Sequence, residues 1–208
     1  MTLLGFTGLI NFLTCISIAG FAIIQNRKNP LNVSFFNLNF SVALYSLGYF
    51  LWQLSKNENQ ALFWFKVLVL GIILINITYL YFVFHFLGQI DQKRKLLRVC
   101  VAINAIFIIL NLFSLLYSHL EPRFGLGFWP VPTALFHIYL LFWFWQCLYG
   151  FYWLLKGLQL YSGIKREQVK YFTISAILGF AGGASNWPGW YNIHFPPYLN
   201  IAISLYIG

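Results

Sequence analysis

Few side chains in this sequence can do chemistry, and their spacing narrows what that chemistry is. His85 and His137 stand in apolar surroundings, with no His-x-x-x-His pair and no carboxylate nearby. A metal needs three or four converging ligands, so packing is their expected role. His119 and His194 fall in loops between apolar runs, where solvation is their expected state. Cys15, Cys100 and Cys147 all lie inside apolar runs and form no Cys-x-x-Cys pair, which reads as buried thiols. No nucleophile stands beside a base. The sequence therefore predicts no catalytic residue, no metal site and no cofactor.

What remains is polar side chains in apolar company, which is the chemistry of binding and of helix contact. Asn104 and Asn111 are seven apart, two helical turns, and so share one face. Asn76 and Thr78 sit near the middle of another apolar run. Such groups must face protein, because lipid offers no partner. They either line a polar ligand cavity or hydrogen-bond between helices. Gly179 and Gly183 share a helix face at the spacing that lets two helices approach closely. That approach is expected within the chain, or alternatively in a homodimer contact or a hinge.

The elements that must position these residues follow from composition. Sixty per cent of the chain is apolar and 8% is charged, against roughly 25% charged in a soluble domain. So few charges cannot cover a water-facing surface, and the expected solvent is lipid. The apolar runs predict a single all-α, polytopic membrane bundle over residues 1–208. Its helices are expected at about 2–25, 31–54, 61–88, 97–117, 132–160 and 169–185, each long enough to span about 30 Å of hydrocarbon. A β-barrel is excluded, since its strands alternate apolar and polar over about ten residues. The run at the N-terminus has no basic residue before it and no cleavage site after it, so it reads as a retained first span. Trp129, Trp187, Trp190 and Tyr191 are expected at the outer membrane interface. The alternative makes the Asn186–Pro197 loop, with Trp187 and Trp190, a lid or ligand platform.

Net charge is +9, but its placement argues against a nucleic-acid partner. Ten of the thirteen Lys and Arg fall after the first, third and fifth runs: Arg27, Lys28, Lys93, Arg94, Lys95, Arg98, Lys156, Lys165, Arg166 and Lys170. Lys56, Lys66 and Arg123 fall on the other side. Basic loops stay cytoplasmic, which puts the N-terminus outside the cell's inner (plasma) membrane. No Asp or Glu is expected mid-membrane, against a proton or cation pump, and no Lys is placed there to hold a retinal. Residues 197–208 reach only about 18 Å as a helix. They read as the incomplete start of a seventh span, which on completion would lead the chain to the cytoplasm.

Several stretches together carry a resemblance. They are Asn29-Pro30-Leu31-Asn32-x-Ser34-Phe35, then Ser41 through Trp52, and Phe84-His85-Phe86-Leu87. The clearest is Gly179-Phe180-Ala181-Gly182-Gly183-Ala184-Ser185-Asn186, leading through Ile193 and Pro196-Pro197 to Leu199-Asn200. In these the chain resembles the N-terminal seven-helix region of bacterial histidine kinases, also found on some diguanylate cyclases. The resemblance implies a sensor that takes in a signal and passes it to a cytoplasmic kinase or cyclase domain. It carries no catalytic role onto any residue here, so these 208 residues are not expected to be an enzyme. The alternatives are a small-molecule transporter, although no inverted repeat is evident, or a membrane protein without an effector.

Overall fold

The computed structural model describes residues 3–195 and 197–205. The expected helix start at Thr2, together with Pro196 and residues 206–208, where the start of a seventh span is expected, lies outside the described residues. Six long helices make up the fold: α1 (Leu3–Gln25), α2 (Pro30–Gln53), α3 (Glu58–Phe86), α4 (Ile90–Leu112), α5 (Ala134–Leu160) and α6 (Gly163–Ala184). A hairpin of β1 (Tyr117–Pro122) and β2 (Phe128–Pro132) follows α4. After α6 come one short turn, α7 (Trp187–Trp190), and a 3-10 turn (Tyr198–Ile201) running into α8 (Ala202–Leu205). Among the described residues four helices, α1, α3, α4 and α5, are long and apolar enough to cross a membrane.

Local chemistry sets the helix ends. The Asn29 side chain accepts from the Leu31 amide at 2.9 Å, with Pro30 at the first helical position of α2. Asn57 caps α3 by accepting from Gln60 N–H at 3.0 Å. At the other end of α3 the amides of Gly88 and Gln89 return to His85 and Phe84, a Schellman closure with Gly88 at φ 63°.

Helix α3 starts three residues earlier than the sequence predicts, α4 and α6 start seven and six residues earlier, and α4 stops five residues short. The expected helix at 97–117 runs from 90 to 112, because the charged stretch from Asp91 to Lys95 is its first turn and not a loop. Asp91 and Arg94 pair across that turn at 2.9 Å. The expected helix at 169–185 likewise begins at Gly163 and carries Lys165 to Lys170 in its opening turns. Helix α4 ends at Leu112 because Ser114 turns left-handed at φ 58°, and the amides of Ser114 and Leu115 close onto Asn111 and Leu110. The apolar residues after it feed the hairpin instead. The expected loop at 118–131 therefore contains two short strands, paired Leu120↔Pro130, Glu121↔Trp129 and Pro122↔Phe128. Prolines are tolerated there because each strand is an edge.

The long helices alternate in direction. Asn111 Nδ2 and Lys66 Nζ each bond the other helix's backbone, which sets the start of α3 beside the end of α4. At the far end Tyr161 Oη donates to Leu87 O at 2.7 Å, Lys165 lies over the Phe86 ring, and Lys93 and Lys156 flank Trp153. One end of the bundle thus gathers basic residues; the other carries the hairpin and α7. Helix α2 packs between α1 and α3, α3 also meets α4 and α5, α5 meets α6, and α6 meets the 198–205 segment. That segment packs back on α1 and closes a ring. Outside it, Ile106, Ile109, Leu141 and Leu148 point away from the protein, a surface suited to lipid.

Candidate functional site

The ring encloses a cleft. Leu38 and Tyr45 of α2, Ile72 of α3, Trp143 of α5 and Phe180 of α6 form its walls. Gly179 and Gly183 line it too, and with no side chains there they leave the space open. Trp187 and Ile203 complete the lining. About 60 Å³ is open to the centres of water-sized molecules, several times what one water needs. A smaller cell of about 10 Å³ adjoins it, sharing Tyr45, Ile72, Gly183 and Trp187 and adding Tyr49, Asn186 and Trp190.

Beside the cleft a buried polar cluster ties four parts of the chain together. Tyr45 Oη donates to Asn200 Oδ1 at 3.0 Å. Asn186 Nδ2 donates to Tyr45 Oη at 3.1 Å, to Asn200 Oδ1 at 3.2 Å and to Gly183 O at 3.1 Å. Asn200 Nδ2 donates to Thr7 Oγ1 at 3.2 Å, and the Thr7 hydroxyl in turn donates to Leu4 O at 2.8 Å. Asn11 Nδ2 reaches the Asn200 carbonyl at 2.8 Å. Every donor finds an acceptor in turn, which fixes the amide orientations and polarises the chain of bonds. Asn11 and Asn200 are completely buried. The cluster joins α1, α2, the end of α6 and the segment that closes the ring.

The hairpin is clasped over this end. Arg123 is buried and donates through Nη1 to the carbonyls of Gly189 and Trp190 at 2.9 and 2.8 Å, capping α7. Its Nε and Nη2 both meet Glu121 Oε1. Trp52 Nε1 donates to Phe128 O at 2.7 Å, and Trp129 lies edge-on to Trp52. A Cβ on Gly189 would sit 2.5 Å from the Trp129 ring, so only glycine lets α7 seat there. Phe124 stacks on His194 at 4.9 Å.

The hydrogen bond from Arg123, then its charge and His119, hold the Glu121 carboxyl below its ordinary value of 4.5. A carboxylate with a depressed folded value contributes stability above the ordinary value, and loses it as pH falls through the depressed one. Tryptophan emission of Trp129 and Trp190 is therefore expected to stay constant from pH 7 to 5 and to shift red only below about pH 4. Glu121→Gln, which cannot titrate, removes that transition; the same transition in both proteins would refute the clasp.

The residues singled out from sequence separate into two groups. Trp187, Trp190, Gly179 and Gly183 come together around the cleft and its smaller cell. The three asparagines do not join them. Asn76 Nδ2 donates to Trp143 O at 3.3 Å, and its Oδ1 accepts from the Cys147 thiol at 3.8 Å. Asn104 Nδ2 bonds Cys100 O and Gln146 Oε1. Asn111 Nδ2 bonds Lys66 O, and its Oδ1 accepts from Tyr117 Oη. These bonds hold α3, α4, α5 and the hairpin to one another. Sequence reasoning passed over Thr7, Asn11, Tyr45, Tyr49 and Asn200 as site residues; Tyr45, Asn186 and Asn200 sat unremarked within the stretches that carried the resemblance.

A family model described as the N-terminal 7TM region of histidine kinase matches residues 8–205. No curated protein and no solved structure matches the chain.

Proposed function

Because the chain belongs to the family of N-terminal 7TM regions of histidine kinases, we propose that it is the membrane-embedded signal-input region of a two-component-type protein, passing a stimulus to a cytoplasmic kinase. The match across 8–205 carries this reading. Six spans and the opening of a seventh are part of it. Helices α2 and α6, of 24 and 22 residues, reach about 36 and 33 Å, enough for the bilayer core. Of the polar residues of α2, Ser34, Asn39, Ser41 and Ser46 are buried away from lipid, while Asn37 is exposed and Asn32 and Gln53, near the two ends, are partly buried. The charges of α6 are confined to its opening turns, where they can meet headgroups.

The basic end faces the cytoplasm of a plasma membrane and the hairpin faces out. The 198–205 segment opens the seventh span, which runs from the hairpin side toward the kinase. A stimulus acts by favouring one arrangement of the ring, and must bind the two arrangements differently by a few kcal/mol to switch them. The polar cluster is the coupling point, since Asn200 links that segment to α1, α2 and α6.

Orientation is tested in a protein freed of its three cysteines. With a membrane-impermeant maleimide on intact cells, His119→Cys is expected to label and Arg94→Cys to stay protected until the cells are opened. The reverse pattern sinks the scheme. Signalling is tested on membranes carrying the full-length protein, which are expected to incorporate phosphate on a histidine beyond residue 208. Substrate flux in vesicles without such phosphorylation would favour a transporter.

A further inference from the structure

We propose that the cleft inside the ring is a binding site for a compact, uncharged amphiphile whose single polar group both donates and accepts a hydrogen bond. Its physiological meaning rests on the sensory reading above; the site itself rests on geometry. The walls supply the first argument. Trp143, Phe180 and Trp187 surround the space with ring faces and edges, with Trp143 and Trp187 centred 4.6 Å apart. Among the described residues no Lys, Arg, Asp or Glu lines either compartment. A charged ligand would lose its hydration there without a counter-ion, so the occupant is neutral.

The smaller cell supplies the polar end. Tyr49 Oη, Asn186 Oδ1 and Trp190 Nε1 are buried and have no hydrogen-bond partner. All three residues line this cell, and each is at least nine-tenths buried. Buried polar atoms are almost always paired, so three orphans around one space point to a missing partner. Asn186 offers only an acceptor at that atom and Trp190 only a donor, while the tyrosine offers either. A hydroxyl on the ligand answers them. The body of the ligand then occupies the larger compartment, whose size suits a molecule on the order of ten heavy atoms. The occupant would touch α2, α3, α5 and α6 together, alongside the residues that hold the ring-closing segment.

The test uses tribromoethanol, a small alcohol whose bromines quench tryptophan, added to the purified protein in nanodiscs. Bromoform serves as the analogue without a hydroxyl. Quenching of Trp143 and Trp187 is expected to saturate, on top of a linear background from lipid partitioning. Gly183→Leu fills the cleft; a Cβ there meets only Ile203 Cδ1, at 4.0 Å, so the helix itself is not disturbed. It is expected to abolish the saturable part and keep the background. Tyr49→Phe removes no bond, and is expected to weaken tribromoethanol about three- to tenfold, the worth of one hydrogen bond, while leaving bromoform unchanged. A purely linear response in the unsubstituted protein overturns the site. Equal affinity for alcohol and bromoform overturns the polar end. Neither result bears on whether the full-length protein is a kinase, which the phosphorylation assay reads separately.

Discussion

Gly71→Ala is expected to lower the thermal midpoint of the detergent-purified protein by about 5–10 °C, equivalent to about 2–3 kcal/mol for a chain of this size. A Cβ on Gly71 would press into Tyr45 N and lie 2.5 Å from Tyr45 Cα. Both neighbours are backbone, so no rotamer change relieves the contact and α2 must move away from α3. Overpacking of this kind costs about 1–3 kcal/mol even where side chains can yield. The gain in helix propensity on replacing glycine, about 1 kcal/mol, offsets only part of it. Gly48 makes the reciprocal approach, its Cβ position falling 2.5 Å from Leu68 N. Gly20→Ala is the control: nothing lies within 4 Å of its Cβ position. That variant should be as stable as the parent or slightly more so. If Gly71→Ala melts with Gly20→Ala, the close crossing of α2 and α3 is not what holds them. Because Gly71 abuts the backbone of Tyr45, the same substitution should also disturb the polar cluster.

That result would also show where sequence reading stops. The apolar runs gave the helices and their number, since composition alone forces the chain out of water. The stripe on α4 was legible too. Leu97, Cys100, Asn104, Phe107 and Asn111 are buried at alternating steps of three and four, while Ile106 and Ile109 face outward. Asparagines inside and isoleucines outside are the reverse of a water-soluble helix. The helix starts at Ile90 and Gly163 were missed because charge was read as loop. In a membrane protein the first turns of a helix can stand in the headgroup layer, where Lys and Arg are at home.

Glycine contacts are hard to read from sequence for a different reason. The pair Gly179 and Gly183 drew notice by its spacing within one helix. The closest crossing uses Gly48 and Gly71, one glycine in each of two helices. Complementarity between two elements leaves no pattern within either. The polar cluster is hidden in the same way: Thr7 and Asn200 are 193 residues apart. Only Tyr45, Asn186 and Asn200, embedded in the stretches that carried the resemblance, offered a signal.

Asn200→Ala is expected to have an effect of similar size by a different route. It removes the acceptor for Tyr45 and Asn186 and the donor to Thr7. At about 0.6 kcal/mol for an average bond between membrane helices, three bonds come to about 2 kcal/mol. Asn200→Asp keeps the acceptor but loses the bond to Thr7 and brings a carboxyl into a fully buried site, so it should be worse than alanine. A double-mutant cycle separates a network from a general loss of packing. Tyr45→Phe and Asn200→Ala should be non-additive by about 0.5–2 kcal/mol, because each removes the same bond. Tyr45→Phe combined with Asn111→Ala should be additive, since Asn111 bonds Lys66 and Tyr117 and shares no partner with Tyr45. Additivity in the first pair would mean that Asn200 merely fills space. Coupling there means the ring-closing segment is held by hydrogen bonds to α2, and a change at the cleft wall formed by Tyr45 is then felt at residues 198–205 without any longer path.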